Sequence, residues 1–229
     1  LAWLDSCGIR YEAAADRSHF HVPGGQRFEP IDRRVPADFS SATFFLCAGA
    51  LGEGPALVRG LDMQDTQGDK AVVDYLREMG ATIIETDDGL RVTGGALRGC
   101  ELDLNATPDA LPMMAVVGCL AEGETRLVNV PQARIKETDR IAVMAAELTK
   151  AGADIEELPD GLVIRQSTLR GTDVEGHDDH RVVMAMAIAG CFAQGDGPMT
   201  VHGAQAMAVT FPTFTDCLRG LGARVDQIE

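Results

Sequence analysis

A chain of 229 residues, 45% hydrophobic and 24% charged, is long enough for one large core or two modest ones, and its composition is neither disordered nor fibrous. Its 20 Lys and Arg face 35 Asp and Glu, and the net charge of −15 argues against a nucleic-acid groove or an anionic membrane surface as the main partner. A small anion held by a few local bases stays open. No stretch reaches the roughly 18 to 20 apolar residues of a membrane span, and no basic segment leads an apolar export signal. Six cysteines without a CxxC pair, most of them inside apolar runs, read as buried reduced thiols of a cytoplasmic protein.

The chain opens on LAWLDSCGI, without Met, and this reads as the second half of a helix followed by a strand. The expectation is that an upstream segment precedes Leu1. SHFHV supplies a second short strand, and IDRRVP then interrupts the pattern. VPADFSSATFFLCAGAL places Asp38 at or near the N-cap of an apolar helix of about three turns. A glycine-bearing turn and the strand GPALVRG follow. A second, amphipathic helix ends at Gly80, ATII opens a strand, and DDGLRV adds a hairpin partner signalled by Asp-Gly. The same order returns with ATPDALPMMAVVGCLA, ETRLVNV, a helix ending at Gly152, and PDGLVI. It begins once more with GHDDHRVVMAMAIAGC, GPMTVHG and a helix ending at Gly222.

The recurrence has a fixed period. Gly8, Gly80, Gly152 and Gly222 are spaced by 72, 72 and 70 residues, and Asp38, Asp109 and Asp179 by 71 and 70. One unit is helix, strand, helix, strand, turn, strand, and a leading strand would make it βαβαββ. The fold class expected is therefore α/β (α+β), with nearly three such units and the tail of a fourth packed around buried helices and sheets outside. That packing points three Asp-bearing helix starts the same way, toward an anion site built from free N–H groups and aligned dipoles.

ARIKETDRIAVMAAEL begins a helix with a dense mixture of both signs between Arg134 and Arg140. The plain reading is a solvated first turn capped by Thr138 or Asp139. Yet Lys136 and Arg140 oppose the helix dipole unless something anionic sits between them. GHDDHR offers His177, Asp178, Asp179 and His180 as conceivable metal ligands, but four adjacent ligands rarely fit one site and no second His/Cys cluster assists them. No metal and no cofactor is expected.

RIKETDRI, DHRVVMAMA, VPADFSSATFFL, TPDALP and TFPTF, in this order, resemble the 3-phosphoshikimate 1-carboxyvinyltransferase (EPSP synthase) family over the whole chain. The chain looks like that family's C-terminal half. The resemblance implies an enolpyruvyl transferase-like inside-out barrel, six βαβαββ units in two domains that close over the substrates. The crossing between domains falls near Arg33 to Pro36, with residues 1–34 the tail of the N-terminal, shikimate-binding domain and 35–229 most of the C-terminal one.

The activity implied moves the enolpyruvyl group of phosphoenolpyruvate onto the 5-hydroxyl of shikimate 3-phosphate, a step of aromatic amino-acid biosynthesis, by addition and elimination and without metal. Asp109 matches the carboxylate drawn as proton acceptor, and Glu137 the proton donor toward C3. Lys136 and Gln132 match substrate-binding positions, and Arg140 and Arg181 the pair that holds the phosphoenolpyruvate carboxylate; His180, in place of binding metal, is expected to orient Arg181 or a carboxylate. Two positions depart from the pattern: Gln132 replaces a common Asn, and Val209 replaces a lysine that contacts phosphate. The implied partners are the two small substrates and a missing N-terminal half, without which the chain is expected to be inactive. The alternatives are a non-catalytic, weakly anion-binding domain of the same fold, or a transferase with another acceptor such as UDP-N-acetylglucosamine, whose family lacks the KETDR and DHR pair.

Overall fold

A computed structural model describes every residue except Arg33 and Glu229 and divides the chain into two compact units. Leu1–Pro36 with Gln64–Thr66 form the smaller, and Ala37–Met63 with Gln67–Glu229 the larger. In the smaller unit, helix α1 (Ala2–Ser6) leads into an antiparallel ribbon of β1 (Glu12–Ala13) and β2 (Phe20–His21), the helix and second strand expected from LAWLDSCGI and SHFHV. The chain crossing expected near Arg33 to Pro36 includes Arg33, which lies outside the described residues.

The larger unit repeats one plan. Its first copy runs α2 (Phe39–Leu51), β3 (Ala56–Arg59), α3 (Ala71–Glu78), β4 (Thr82–Thr86) and β5 (Gly89–Thr93), with sheet order β3-β5-β4. The second copy is the full βαβαββ unit: β6 (Glu101–Asp103), α4 (Leu111–Leu120), β7 (Glu124–Val128), α5 (Arg140–Lys150), β8 (Asp154–Leu158) and β9 (Gly161–Arg165). Here β6 runs parallel to β7, while β9 pairs antiparallel with both β7 and β8. The third copy has β10 (Asp173–Glu175), α6 (His180–Cys191), a parallel partner β11 (Thr200–His202) and α7 (Phe214–Gly220). The strand expected after Gly222 is absent: residues 223–228 have no regular structure, and no described strand stands beside them to pair their backbone groups.

Residue choice accounts for the layering. Nine of the ten residues of α4 are buried, so that helix has no polar face to show to water and must be enclosed. It packs between α2 and α6, which also touch each other, and the three apolar helices form the common centre. The third copy is joined to the first by rings: Phe45 lies 5.5 Å from Phe211 and from Phe214, and Phe44 lies 6.0 Å from Phe214, so both phenylalanines of TFPTF enter this cluster. Only Cys47 and Cys119 of the six cysteines are buried, with thiol pKa values pushed up by burial, that of Cys119 to about 12. The expectation of buried thiols fails for Cys191 and Cys217, which are exposed.

The repeat is sharpest at helix ends. At Gly8, Gly80, Gly152 and Gly222 the backbone is left-handed, with φ between 67° and 108°. In each copy the next residue donates back to a carbonyl five positions earlier: Ile9 to Leu4, Ala81 to Leu76, Ala153 to Leu148 and Ala223 to Leu218. This double-bonded stop satisfies the last carbonyls and turns the chain toward its next element. The Asp-Gly hairpin signals act differently from the expectation. Turn residues are Asp87-Asp88 and Pro159-Asp160, and each glycine opens the following strand. A Cβ on Gly161 would stand 1.9 Å from the Leu127 carbonyl oxygen, so glycine there permits β7 to approach β9.

Gly152→Ala is expected to lower unfolding free energy by about 1–2 kcal/mol through the left-handed backbone penalty, read as a lower urea midpoint at unchanged slope. Gly161→Ala, which meets backbone, should cost more.

Candidate active site

Asp38 and Asp179 sit as the repeat directs. Asp38 caps α2 by accepting from the Ser40 and Ser41 amides, and Asp179 caps α6 by accepting from the Arg181 amide at 2.8 Å. Asp109 does not cap a helix, contrary to its equivalence with the other two. Pro108–Ala110 winds as a 3-10 turn straight into α4, and Pro112 has no N–H for an Asp109 cap to bind. The Asp109 carboxylate turns instead to three cations: Arg140 Nη1 at 2.8 Å, Lys136 Nζ at 3.1 Å and Arg181 Nη2 at 3.4 Å.

Asp139 caps α5 through the Ala142 amide, so Arg140 is its first helical residue. The Arg140 side chain is only 1% exposed. Nε and Nη2 grip the two oxygens of Asp179 at 2.7 and 3.1 Å, Nη2 also reaches Glu137 at 2.6 Å, and Nη1 holds Asp109. Thr138 Oγ1 adds a fourth bond to Asp179, which is fully buried. The anionic groups that the basic residues require are therefore the protein's own carboxylates.

Arg181 donates to Ser40 Oγ at 2.5 Å and so links the start of α6 to the start of α2. His180 Nδ1 stands 3.9 Å from Glu137. Burial, helped by the Arg181 and Arg140 charges, pulls the His180 imidazole below its ordinary pKa against Asp179 and Glu137, and the ring is neutral at pH 7. Burial works to raise the Asp109 pKa, but Arg181, Lys136 and Arg140 outweigh it and hold the carboxyl below the usual range. The same contest, won by Arg140, lowers Asp179.

Of the residues singled out from sequence, the structure gathers Asp109, Lys136, Glu137, Arg140, His180 and Arg181. Gln132, in the 3-10 turn Pro131–Ile135, instead donates to the Asn105 carbonyl at 2.6 Å. Val209 is 81% exposed at the end of another such turn, Ala204–Val209, and brings no charge. The anion site expected from free helix-end N–H groups does not form as described, because Asp38, Gln67 and Asp179 already occupy the amides of Ser40, Ser41, Phe39 and Arg181.

Two residues were assigned no role from sequence: Ser40, inside the run VPADFSSATFFL, and Asp69, beside the start of α3. Burial raises the Asp69 pKa, reinforced by Asp109 and Asp38 and opposed by Arg181. Among the described residues no three His, Cys, Asp or Glu side chains are arranged to hold a metal ion. The run GHDDHR spreads its side chains among separate partners, Asp179 to Arg140 and His177 to Glu147.

A depressed folded-state pKa contributes stability above the unfolded value, near about pH 4 for Asp, and that contribution disappears as pH falls through the folded value. Asp179→Asn should therefore cost about 3–5 kcal/mol at pH 7 by leaving Arg140 under-partnered. It should also flatten the loss of stability below about pH 4, measured as urea midpoints at successive pH values.

Comparison with known proteins bears on what this group belongs to. No helix among the described residues is long and apolar enough to cross a membrane. A family model described as EPSP synthase (3-phosphoshikimate 1-carboxyvinyltransferase) matches residues 1–218. The 3-phosphoshikimate 1-carboxyvinyltransferase of Ruminiclostridium cellulolyticum is 52% identical over 228 residues, 100% of this chain and 53% of its own length. That of Methanocaldococcus jannaschii is 41% identical over 97% of this chain and 52% of its own. The solved EPSP synthase from Acinetobacter baumannii superposes with a TM-score of 0.84 at 29% identity, covering 98% of this chain and 55% of that one. The chain spans about half the length of the curated relatives it matches, and by the extent of these matches it belongs to the EPSP synthase family.

Proposed function

We propose that this chain, joined to the residues that make up the other half of its relatives, transfers the enolpyruvyl group of phosphoenolpyruvate to the 5-hydroxyl of shikimate 3-phosphate and releases phosphate. The observation that supports this most is the balanced group of Lys136, Arg140 and Arg181 with Asp109, Glu137 and Asp179, three cations and three carboxylates within hydrogen-bonding reach of one another. In this reading residues 1–34 belong to the shikimate-binding domain, 35–229 to the other, and the reaction takes place in the cytoplasm.

The chemistry needs a proton delivered to C3 of phosphoenolpyruvate and the 5-hydroxyl oxygen attached at C2. The resulting tetrahedral intermediate expels phosphate and returns a proton from C3. Arg140 and Arg181 would take the carboxylate of phosphoenolpyruvate, for which a planar fork is suited. Arg140 now spends one Nη2 bond on Glu137. A substrate carboxylate there would replace Glu137 and free it to approach C3. Asp109, ionised among its cations, would accept the hydroxyl proton, with Lys136 beside it lowering the cost of the developing alkoxide. Gln132 would contact the phosphorylated acceptor, and neutral His180 would steady Glu137. Exposed, uncharged Val209 favours a second reading, a domain of this fold with weak anion binding and no turnover.

Fusing the chain to the N-terminal half of the Ruminiclostridium cellulolyticum relative and measuring phosphate release with both substrates separates the two. Release dependent on both is expected; a folded fusion that releases none sinks the transferase reading. Glu137→Gln in the fusion should lower kcat about 10²- to 10⁴-fold with little change in KM. Val209→Lys should raise kcat/KM if the missing charge limits phosphate binding.

A further inference from the structure

The segment between Glu175 and Arg181 meets two demands that oppose each other. It turns sharply out of β10, and it presents Asp179 and Arg181 to the charged group in one fixed register. Two consecutive non-glycine residues in the left-handed region make the turn, His177 at φ 52° and Asp178 at φ 55°. His and Asp tolerate that region better than most residues, yet a pair of them persists only where surrounding groups over-determine it. Gly176 before them cannot carry a side chain, since a Cβ would lie 2.4 Å from Val183 Cγ2 and 2.8 Å from the His202 carbonyl oxygen.

Glu147, two turns along α5 from Arg140, supplies the hold. Its side chain is 2% exposed, and it belongs to neither the KETDR nor the DHR run. It accepts from Lys150 Nζ at 2.7 and 2.9 Å, from the Glu175 amide at 3.0 Å and from His177 Nε2 at 2.9 Å. Burial acts to raise its pKa; Lys150, His177 and the Glu175 amide outweigh burial, so the carboxylate is ionised and every partner is a donor. Two of those three partners are in the segment that turns. Helix α5 thus grips residues 175–181 at two points, with Arg140 on Asp179 and Glu147 on Glu175 and His177.

We propose that Glu147 is a positioning residue: through Glu175 and His177 it holds the left-handed turn, and through the turn it sets Asp179 and Arg181 against Arg140. Its place in catalysis rests on the transferase reading, whereas its hold on the turn does not.

Amide hydrogen exchange on the 229-residue chain tests the hold directly. Glu147→Gln keeps the shape of the side chain and removes its charge, and Glu147→Ala removes the acceptors. Protection of amides 175–181 should fall about tenfold in Glu147→Gln and further in Glu147→Ala, while α4 keeps its protection. Lys150→Met, which removes the partner outside the turn, should leave 175–181 within about twofold of the parent. Unchanged protection at 175–181 in Glu147→Ala overturns the proposal. So does a loss spread evenly over α4 and α6, which would mark Glu147 as a general stabiliser.

In the active fusion, Glu147→Gln should raise KM for phosphoenolpyruvate about tenfold with kcat within about threefold, because the arginine that meets the carboxylate is misplaced. A selective fall in protection with KM unchanged would overturn the catalytic role. If the parent fusion is inert, the transferase reading fails and exchange alone decides whether Glu147 holds the turn.

Discussion

The pairing of buried Arg140 with buried Asp179 constrains everything around it. A guanidinium 1% exposed at the first turn of a helix stands where the dipole disfavours it, and a carboxylate at 0% exposure has lost its water. Neither is tolerable without the other. The two-point grip of Nε and Nη2 on Asp179 fixes the start of α5 against the start of α6. Asp109 and Glu137 take the remaining edge of the guanidinium, and Lys136 and Arg181 assemble around Asp109. The group is therefore a single electrostatic unit built on one ion pair, and its members cannot be moved independently.

One repeat position carries this unit in three forms. Asp38 caps α2 and does little else; Asp179 caps α6 and also neutralises Arg140; Asp109 has given up capping and faces cations only. A backbone plan copied three times supplies three similar helix starts on one side of a common apolar centre. Small differences at each helix start, here the 3-10 turn Pro108–Ala110 and the missing N–H of Pro112, decide whether a carboxylate is spent on the backbone or turned to side-chain cations.

Periodicity made the architecture legible. Left-handed glycines at intervals near 70 residues mark helix ends because few other residues accept that backbone, and wholly apolar helices can only be interior. Strand partners and the hairpin turns were less legible: Gly89 and Gly161 resembled turn residues, yet their cause is the approach of a neighbouring strand, a fact of tertiary packing that a local motif does not carry. The site divided in the same way. Lys136 and Arg140 stand out as cations at odds with a helix start, and the family resemblance supplied the proposed roles of these two, Glu137 and Arg181. Ser40, Asp69 and Glu147 are ordinary residues for the local structure in which they sit. Their importance comes from what other repeats bring beside them, at separations of 141 residues for Ser40 and Arg181 and 30 for Glu147 and His177.

For the transfer proposed above, a net charge of −15 on a chain that would meet two anionic substrates presents an apparent contradiction. Its long-range field repels such ligands, and screening beyond about 8–10 Å limits that repulsion without reversing it. The local arrangement suggests how binding proceeds despite the field. Lys136, Arg140 and Arg181 are already paired with the protein's own carboxylates, so an incoming anion would meet partnered cations and not an exposed positive patch. In the proposed reading binding is an exchange, in which a substrate carboxylate would displace an internal one from guanidinium donors that are already desolvated. The displaced group differs according to its anchoring: Asp179 is buried and held by four donors, whereas Glu137 is 46% exposed and held by Arg140 at 2.6 Å. In the proposed transfer the weaker tether makes Glu137 the carboxylate that gives way, so the residue proposed to carry a proton is also the one that binding would set loose.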